Sequence, residues 1–298
     1  VIQLDEPLAD LASLNVRYIS QLARDQGIKV LLSGAGGDDI FTGYRRHRAI
    51  QLENYWNWLP TNILRLLENS SAYLNKNFSI NRRISKFFSG ASLNNHDRLI
   101  NYFRWTSDNT IRSLCKPEFQ EFITNSSINF PISDFIPAIS PNISRLDQML
   151  SIEQRFFLAD HNLNYTDKMS MSSGLEVRVP FLDQDLIEFA ANIPNKFKQK
   201  GKEGKWVLKK AMEPYLPKEI IYRSKTGFGV PLRRWIKDDL KELLRDLLSE
   251  ESINKRGLFS AQSIQKLIFD NDNGKIDASY TLLSLLCIEI WCRAYIDN

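Results

Sequence analysis

The apolar positions along residues 1–53 change period several times. Val1-Ile2-Gln3-Leu4 is a short apolar run that predicts the tail of a β-strand, closed by the acidic turn Asp5-Glu6-Pro7. Leu11, Leu14, Ile19, Leu22 and Ala23 then recur at helical spacing, and Gly27 supplies a C-cap. Lys29-Val30-Leu31-Leu32 suits a buried parallel strand. The glycine-rich stretch Ser33-Gly34-Ala35-Gly36-Gly37-Asp38-Asp39 follows. Residues 38–53 then read as one helix, with acids in its first turn and Arg45, Arg46 and Arg48 further along, an order that suits the helix dipole.

After this βαβα start the pattern over 54–170 is aromatic and helical, with polar breaks at Asn69-Ser70-Ser71, at Asn94-Asn95 and over 137–141. A region punctuated by proline and glycine runs over 174–231, and amphipathic helices over 240–248 and 278–295 close the chain. Two parallel strands cannot cover their own faces or satisfy their edges. The expectation is therefore a mainly helical α/β protein whose partial parallel sheet is the C-terminal part of a larger α/β domain.

Composition narrows the class without naming a chemistry. The 298 residues are 43% hydrophobic and 25% charged, as in a soluble globular protein. A formal charge of +4 demands neither nucleic acid nor a membrane surface as partner. Cys115, Cys287 and Cys292 show no metal-ligand spacing and point to reduced thiols in a cytoplasmic protein. The first residues carry Asp5, Glu6 and Asp10 rather than a basic leader. The most apolar stretch, 280–296, is interrupted by Glu289 and Arg293 and reads as a buried terminal helix. The oligomeric state is left open, a homo-oligomer included.

Chemistry concentrates in the glycine-rich stretch. Its glycines allow a turn with positive φ and close approach of a ligand, at the strand end where open α/β sheets bind their ligands. Backbone amides there can form an anion nest. Asp38 and Asp39 would repel a bare phosphate, so the pair makes sense if a Mg²⁺ ion bridges carboxylate and phosphate. The bland alternative is a connector whose acids stabilise the helix dipole. His47, His96 and His161 show no triad or metal spacing and read as surface or structural residues. The run Arg45-Arg46-His47-Arg48 lacks interleaved aromatics, which favours a pyrophosphate funnel or a solvated face over a nucleic-acid site.

The string Ser33 to Tyr44, SGAGGDDIFTGY, resembles the Ser-Gly-x-Gly-Gly-Asp-Glu-x-Phe-x-Gly-Tyr signature of glutamine-dependent asparagine synthetases. Three further motifs follow in order. Asp167-Lys168-Met169-Ser170-Met171, with Leu175 through Asp183 reading LEVRVPFLD, is similar to a second signature of that family. Lys205-Trp206-Val207-Leu208-Lys209-Lys210-Ala211 and Lys225-Thr226-Gly227-Phe228-Gly229-Val230-Pro231 look like two more. Asp5-Glu6-Pro7-Leu8-Ala9-Asp10 matches the family's opening segment, so the resemblance covers nearly the whole chain.

The resemblance implies one synthetase domain of the ATP-pyrophosphatase type (adenine nucleotide alpha hydrolase-like) across 1–298, lacking its N-terminal part. Residues 1–53 form the βαβα segment and 54–298 the mostly helical remainder. It implies an ATP- and Mg²⁺-dependent ligase that adenylates a carboxylate, nominally aspartate. Ammonia from a glutaminase domain not in this chain then displaces AMP. Ser33, Gly34, Gly36 and Gly37 would bind ATP, Asp38 the metal, and Lys205 would neutralise charge developing on the phosphates. Ala35, Asp39, Asp167, Glu176 and Arg178 would border the substrate pocket; Glu176 and Arg178 could equally pair on an exposed edge.

Two departures qualify this. The family's upstream Ser-Gly-Gly-x-Asp-Ser loop, which binds pyrophosphate and gives a second magnesium aspartate, has no counterpart in these residues, so the fragment alone is expected to be inactive. Ala35 stands where asparagine synthetases usually carry an acid, which brings in a different carboxylate, such as a sugar acid of a surface polysaccharide. A non-catalytic remnant serving as an interaction domain is the third reading.

Overall fold

The computed structural model describes residues 1–74, 79–125, 129–224, 227 and 229–297. Helix α1 (Ala12–Asp25) forms as its spacing predicts. It ends where Gly27, at φ 78°, lets the amides of Gly27 and Ile28 turn back onto Arg24 and Ala23. Strand β1 (Val30–Leu32) then pairs in parallel with β2 (Glu176–Arg178), Val30 opposite Glu176 and Leu32 opposite Arg178. The ladder continues into the glycine-rich loop, because the Ser33 amide donates to the Arg178 carbonyl at 2.8 Å. Both outer residues of β1 are exposed, Leu32 by 74%, so the expected burial of this strand is not met within the described residues.

Val1 to Leu4 is not a strand. Ile2–Leu4 is a 3₁₀ turn whose amide bonds are local, Leu4 to Val1 at 2.9 Å. Side chains hold it from outside: Tyr295 Oη and Trp291 Nε1 of the last helix, Ser279–Tyr295, donate to the Ile2 and Asp5 carbonyls, and Lys168 Nζ donates to that of Leu4. A short apolar run carries no period of its own, and here tertiary partners chose a turn.

The predicted helix over 38–53 is two helices, α2 (Gly37–Phe41) and α3 (Arg45–Leu52). Between them Thr42 takes φ 70°, ψ 168° and Gly43 φ 156°, which no helix can accommodate. The polar stretch Asn69-Ser70-Ser71 does not break the chain, since helix Thr61–Ala72 runs through it. There the Ser71 hydroxyl folds back onto the Glu68 carbonyl at 2.9 Å. Asn94 does begin a helix, capping the Asp97 amide with its side chain.

From 145 to 171 the backbone is helical throughout: Arg145–Ile152, a wide π-helical section Glu153–Leu163, and Asn164–Met171. Wide turns of this kind frequently mark functional sites. The 145–152 section shares a core with α3, built on Ile50, Leu99, Met149 and Ile152. A smaller core lies directly under the glycine-rich loop, where Ile40, Phe41 and Ala190 meet Phe181, Val207 and Leu208. The C-terminal helices, Lys241–Leu247 and Ser279–Tyr295 among them, close around Ile236, Ile264, Leu282 and Leu286. The three cysteines are free and buried, and burial pushes the Cys287 thiol up to about 11.

Candidate active site

The loop after β1 is a closed turn. The Ala35 amide donates to Ser33 Oγ at 3.2 Å, that of Gly37 to the Gly34 carbonyl, and those of Asp39 and Ile40 to the Gly36 carbonyl. These four amides are therefore engaged within the loop, and an anion nest there would draw on the others. Gly36, at φ 89°, is required twice over, because a Cβ there would also stand 2.3 Å from Leu182 Cδ2. Leu182 belongs to the LEVRVPFLD segment, so that segment and the loop define each other's shape.

Asp38 and Lys205, distant in sequence, meet at the foot of this loop, with Lys205 Nζ 2.9 Å from Asp38 Oδ1. Two features build the contact. The Asp38 carboxylate lies over Gly43, where a Cβ would fall 1.7 Å from Oδ1. Lys205 follows the two-stranded hairpin of β3 (Gln199–Lys200) and β4 (Glu203–Gly204), whose Gly204 packs so closely on Gly43 that a Cβ would lie 3.0 Å from Gly43 Cα. Lys205 itself sits in the left-handed region at φ 55°, ψ 33°, as N-cap of helix Trp206–Met212.

Beneath the loop lies a buried charged cluster that sequence reasoning missed. Glu153, at the start of the π section, is fully buried and ion-paired with Arg46 through Oε1. Its Oε2 faces His47 Nε2 at 2.6 Å. His47 Nδ1 accepts the Gly43 amide at 3.0 Å, which leaves Nε2 to donate to Glu153. The Arg46 guanidinium lies 4.6, 4.8 and 4.3 Å from the ring centres of Tyr44, Phe103 and Phe157. Burial opposes the Glu153 charge, but the His47 hydrogen bond and the Arg46 cation outweigh it and hold the carboxyl below its usual range. The basic run is thus neither a funnel nor a solvated face at Arg46 and His47. The available signal was Glu153 itself, an acid between Leu150, Ile152 and Phe156 in an apolar stretch.

Asp39 is 1% exposed, and its Oδ1 has no hydrogen-bond partner among the described residues. Burial, then the charges of Glu153 and Asp38, push its carboxyl up to about 7 against the opposing pull of Arg46. The two acids of the motif therefore differ: Asp38 is half-buried and meets a lysine, whereas Asp39 is sealed.

The remaining predicted positions lie around this centre. Ser33 and Ala35 are half-buried, Gly34 is exposed and Gly37 is buried against Phe181. Glu176 and Arg178 pair at 2.7 Å on β2, both exposed, which matches the edge alternative, while the Arg178 carbonyl holds the loop through Ser33. Asp167 is exposed on helix Asn164–Met171, and its carbonyl accepts the Ser170 hydroxyl. Lys225, Thr226 and Phe228 of the last motif lie outside the described residues.

With this geometry in place, the profile of the asparagine synthase family matches residues 1–293. The chain is 26% identical over all its 298 residues to asparagine synthetase [glutamine-hydrolyzing] 1 of Bacillus subtilis, covering 45% of that protein. It is 26% identical to amidase chyE of Penicillium rubens over 88% of this chain and 41% of that protein. A third relative, asparagine synthetase [glutamine-hydrolyzing] 3 of B. subtilis, is 23% identical over 88% of this chain and 36% of its own length. The chain thus spans less than half the length of these relatives.

Proposed function

Because the chain belongs to the asparagine synthase family, we propose that it carries part of the synthetase site of an ATP-dependent, amide-forming ligase. A substrate carboxylate attacks the α-phosphate of ATP, forming an acyl-adenylate and releasing pyrophosphate. Ammonia, supplied by a glutaminase domain, then attacks the acyl carbon, so that the amide forms, AMP leaves and one proton is lost. The observation carrying this reading is the 2.9 Å Lys205–Asp38 pair under the glycine-rich loop, which joins two separate motifs at one point.

Each residue has work that follows from its surroundings. The Lys205 ammonium, one-third exposed, is a compact cation beside the loop and is suited to charge that grows on the phosphates as pyrophosphate departs. Ser33, Gly34, Gly36 and Gly37 shape the wall against which the nucleotide lies. Asp38 is the residue that would hold a magnesium ion, which when bound would neutralise phosphate charge. The fit is of a particular kind. Among the described residues no group of three or more His, Cys, Asp or Glu could hold a metal alone. Asp38 fits an ion that takes its other ligands from phosphate and water.

Aspartate is the nominal acid. Ala35 favours a second reading, an amidotransferase for another carboxylate, since a methyl group in that loop position can neither accept a proton nor hold an ammonium. ATP–pyrophosphate exchange by the natural full-length protein, with aspartate and a panel of sugar acids, tests both. Exchange is expected with one acid class and is expected to fall at least ~100-fold in Lys205→Met. Residues 1–298 alone are expected to show none. Exchange unaffected by Lys205→Met would sink the assignment, and robust exchange by the isolated chain would overturn the view that the site is incomplete.

A further inference from the structure

Thr42 is the most unusual residue of the site, and it falls at the unspecified position of the Phe-x-Gly-Tyr end of the first motif. It is fully buried, and its φ 70°, ψ 168° lies in a region that glycine alone occupies readily. A β-branched side chain adds crowding at positive φ. The hydroxyl shows what holds it there. Thr42 Oγ1 donates to the Lys198 carbonyl at 3.0 Å and accepts the Lys205 amide at 3.2 Å. Lys198 immediately precedes β3 and Lys205 immediately follows β4, so one hydroxyl clips both ends of the hairpin to the turn after α2. The Lys205 amide is shared with the Phe41 carbonyl at 3.1 Å. Lys205 is itself in the left-handed region, so its backbone needs such restraint.

From this geometry we infer that Thr42 is the positioning residue for Lys205: its hydroxyl fixes where the ammonium stands relative to Asp38 and the glycine-rich loop. Thr42 does not touch the reacting atoms; it acts through the lysine backbone. The inference rests on the proposed ligase reading only for its consequence for rate. Its geometric content stands independently, because the Lys205–Asp38 contact can be read without turnover.

The test uses the natural full-length protein with its lysines reductively ¹³C-dimethylated, the Lys205 resonance being assigned by Lys205→Arg. Asp38→Asn gives the position of that resonance when the ion pair is lost. Thr42→Val keeps shape and β-branching but removes the hydroxyl, Thr42→Gly removes both, and Thr42→Ser keeps the hydroxyl alone. The resonance is expected to move to the Asp38→Asn position in the valine and glycine variants and to stay in place in the serine variant. In ATP–pyrophosphate exchange, kcat is expected to fall about 10- to 100-fold in Thr42→Val and Thr42→Gly, with KM for ATP changed less than about 3-fold, and Thr42→Ser is expected to rescue it. A Lys205 resonance unmoved in a folded Thr42→Gly or Thr42→Val protein overturns the inference. Absence of exchange in the unsubstituted protein with every acid would count against the ligase reading, while the resonance would still decide the role of Thr42.

Discussion

Asp39 and Asp38 are neighbours in different surroundings, Asp38 paired with Lys205 and Asp39 sealed, and the burial of Asp39 has a measurable consequence. Asp39, raised from 3.8 to about 7, binds its proton more tightly folded than unfolded. Between those values the folded state carries the extra proton, so stability declines as pH rises. The penalty is absent below about pH 4 and complete above about pH 7, where the gap is worth up to ~4 kcal/mol. Asp39→Asn removes it. Denaturant midpoints from pH 4 to 8 are expected to show the variant gaining on the parent as pH increases, and parallel curves would refute the assignment. Gly43 supports a second prediction at this scale. A methyl group there would collide with Asp38 Oδ1, and the backbone behind it is already packed against Gly204. Gly43→Ala is expected to cost about 1–3 kcal/mol of stability, read from its denaturant midpoint, and to break the Lys205–Asp38 contact.

At the scale of elements, the break between α2 and α3 organises the site. It frees Gly43 to bond His47, presents Thr42 to the hairpin and lets α3 turn Arg46 inward to Glu153. None of this was legible beforehand, because Thr42 has no sequence signal for positive φ and its partners lie in a hairpin far along the chain. The glycine-rich loop was legible because its local geometry alone, the φ of 89° at Gly36, already calls for glycine, although the approach of Leu182 to the same residue was not. β1 was legible as a strand, but its partner β2 is only three residues long, and Val1 to Leu4 offered an equally apolar rival. The buried acid at the head of the π section provides the test at this scale. Glu153→Ala would leave the partly buried Arg46 without its counter-charge and a cavity beside His47, and is expected to cost about 3 kcal/mol. Glu153→Gln keeps the volume and removes one of the charges that raise Asp39. The Asp39 carboxyl is therefore expected to titrate at lower pH in that variant, as followed by ¹³C NMR, and an unchanged midpoint would mean the two carboxylates are not coupled.

For the whole molecule, the exposed apolar side chains of its first thirty-two residues raise the question of what covers them. α1 exposes Tyr18, Ile19 and Leu22, and the following segment exposes Ile28, Val30 and Leu32. Among the described residues β1 has a ladder partner on one edge alone, so its other edge presents unpaired backbone donors and acceptors. Single exposed apolar residues are ordinary, whereas six of them within fifteen residues, followed by an open strand edge, would favour association. Residues 1–298 alone are therefore expected to bind a hydrophobic dye and to sediment as concentration-dependent oligomers, and Leu22→Lys with Leu32→Lys is expected to reduce both. The same pair of substitutions distinguishes a covered face from a bare one in the natural full-length protein. If the additional length seen in the relatives packs there, each leucine is buried in that context, and its replacement costs at least the ~1.5–3 kcal/mol of a buried aliphatic side chain. Unchanged stability of the full-length double variant would show that the face stays exposed and that the sheet is completed elsewhere or not at all.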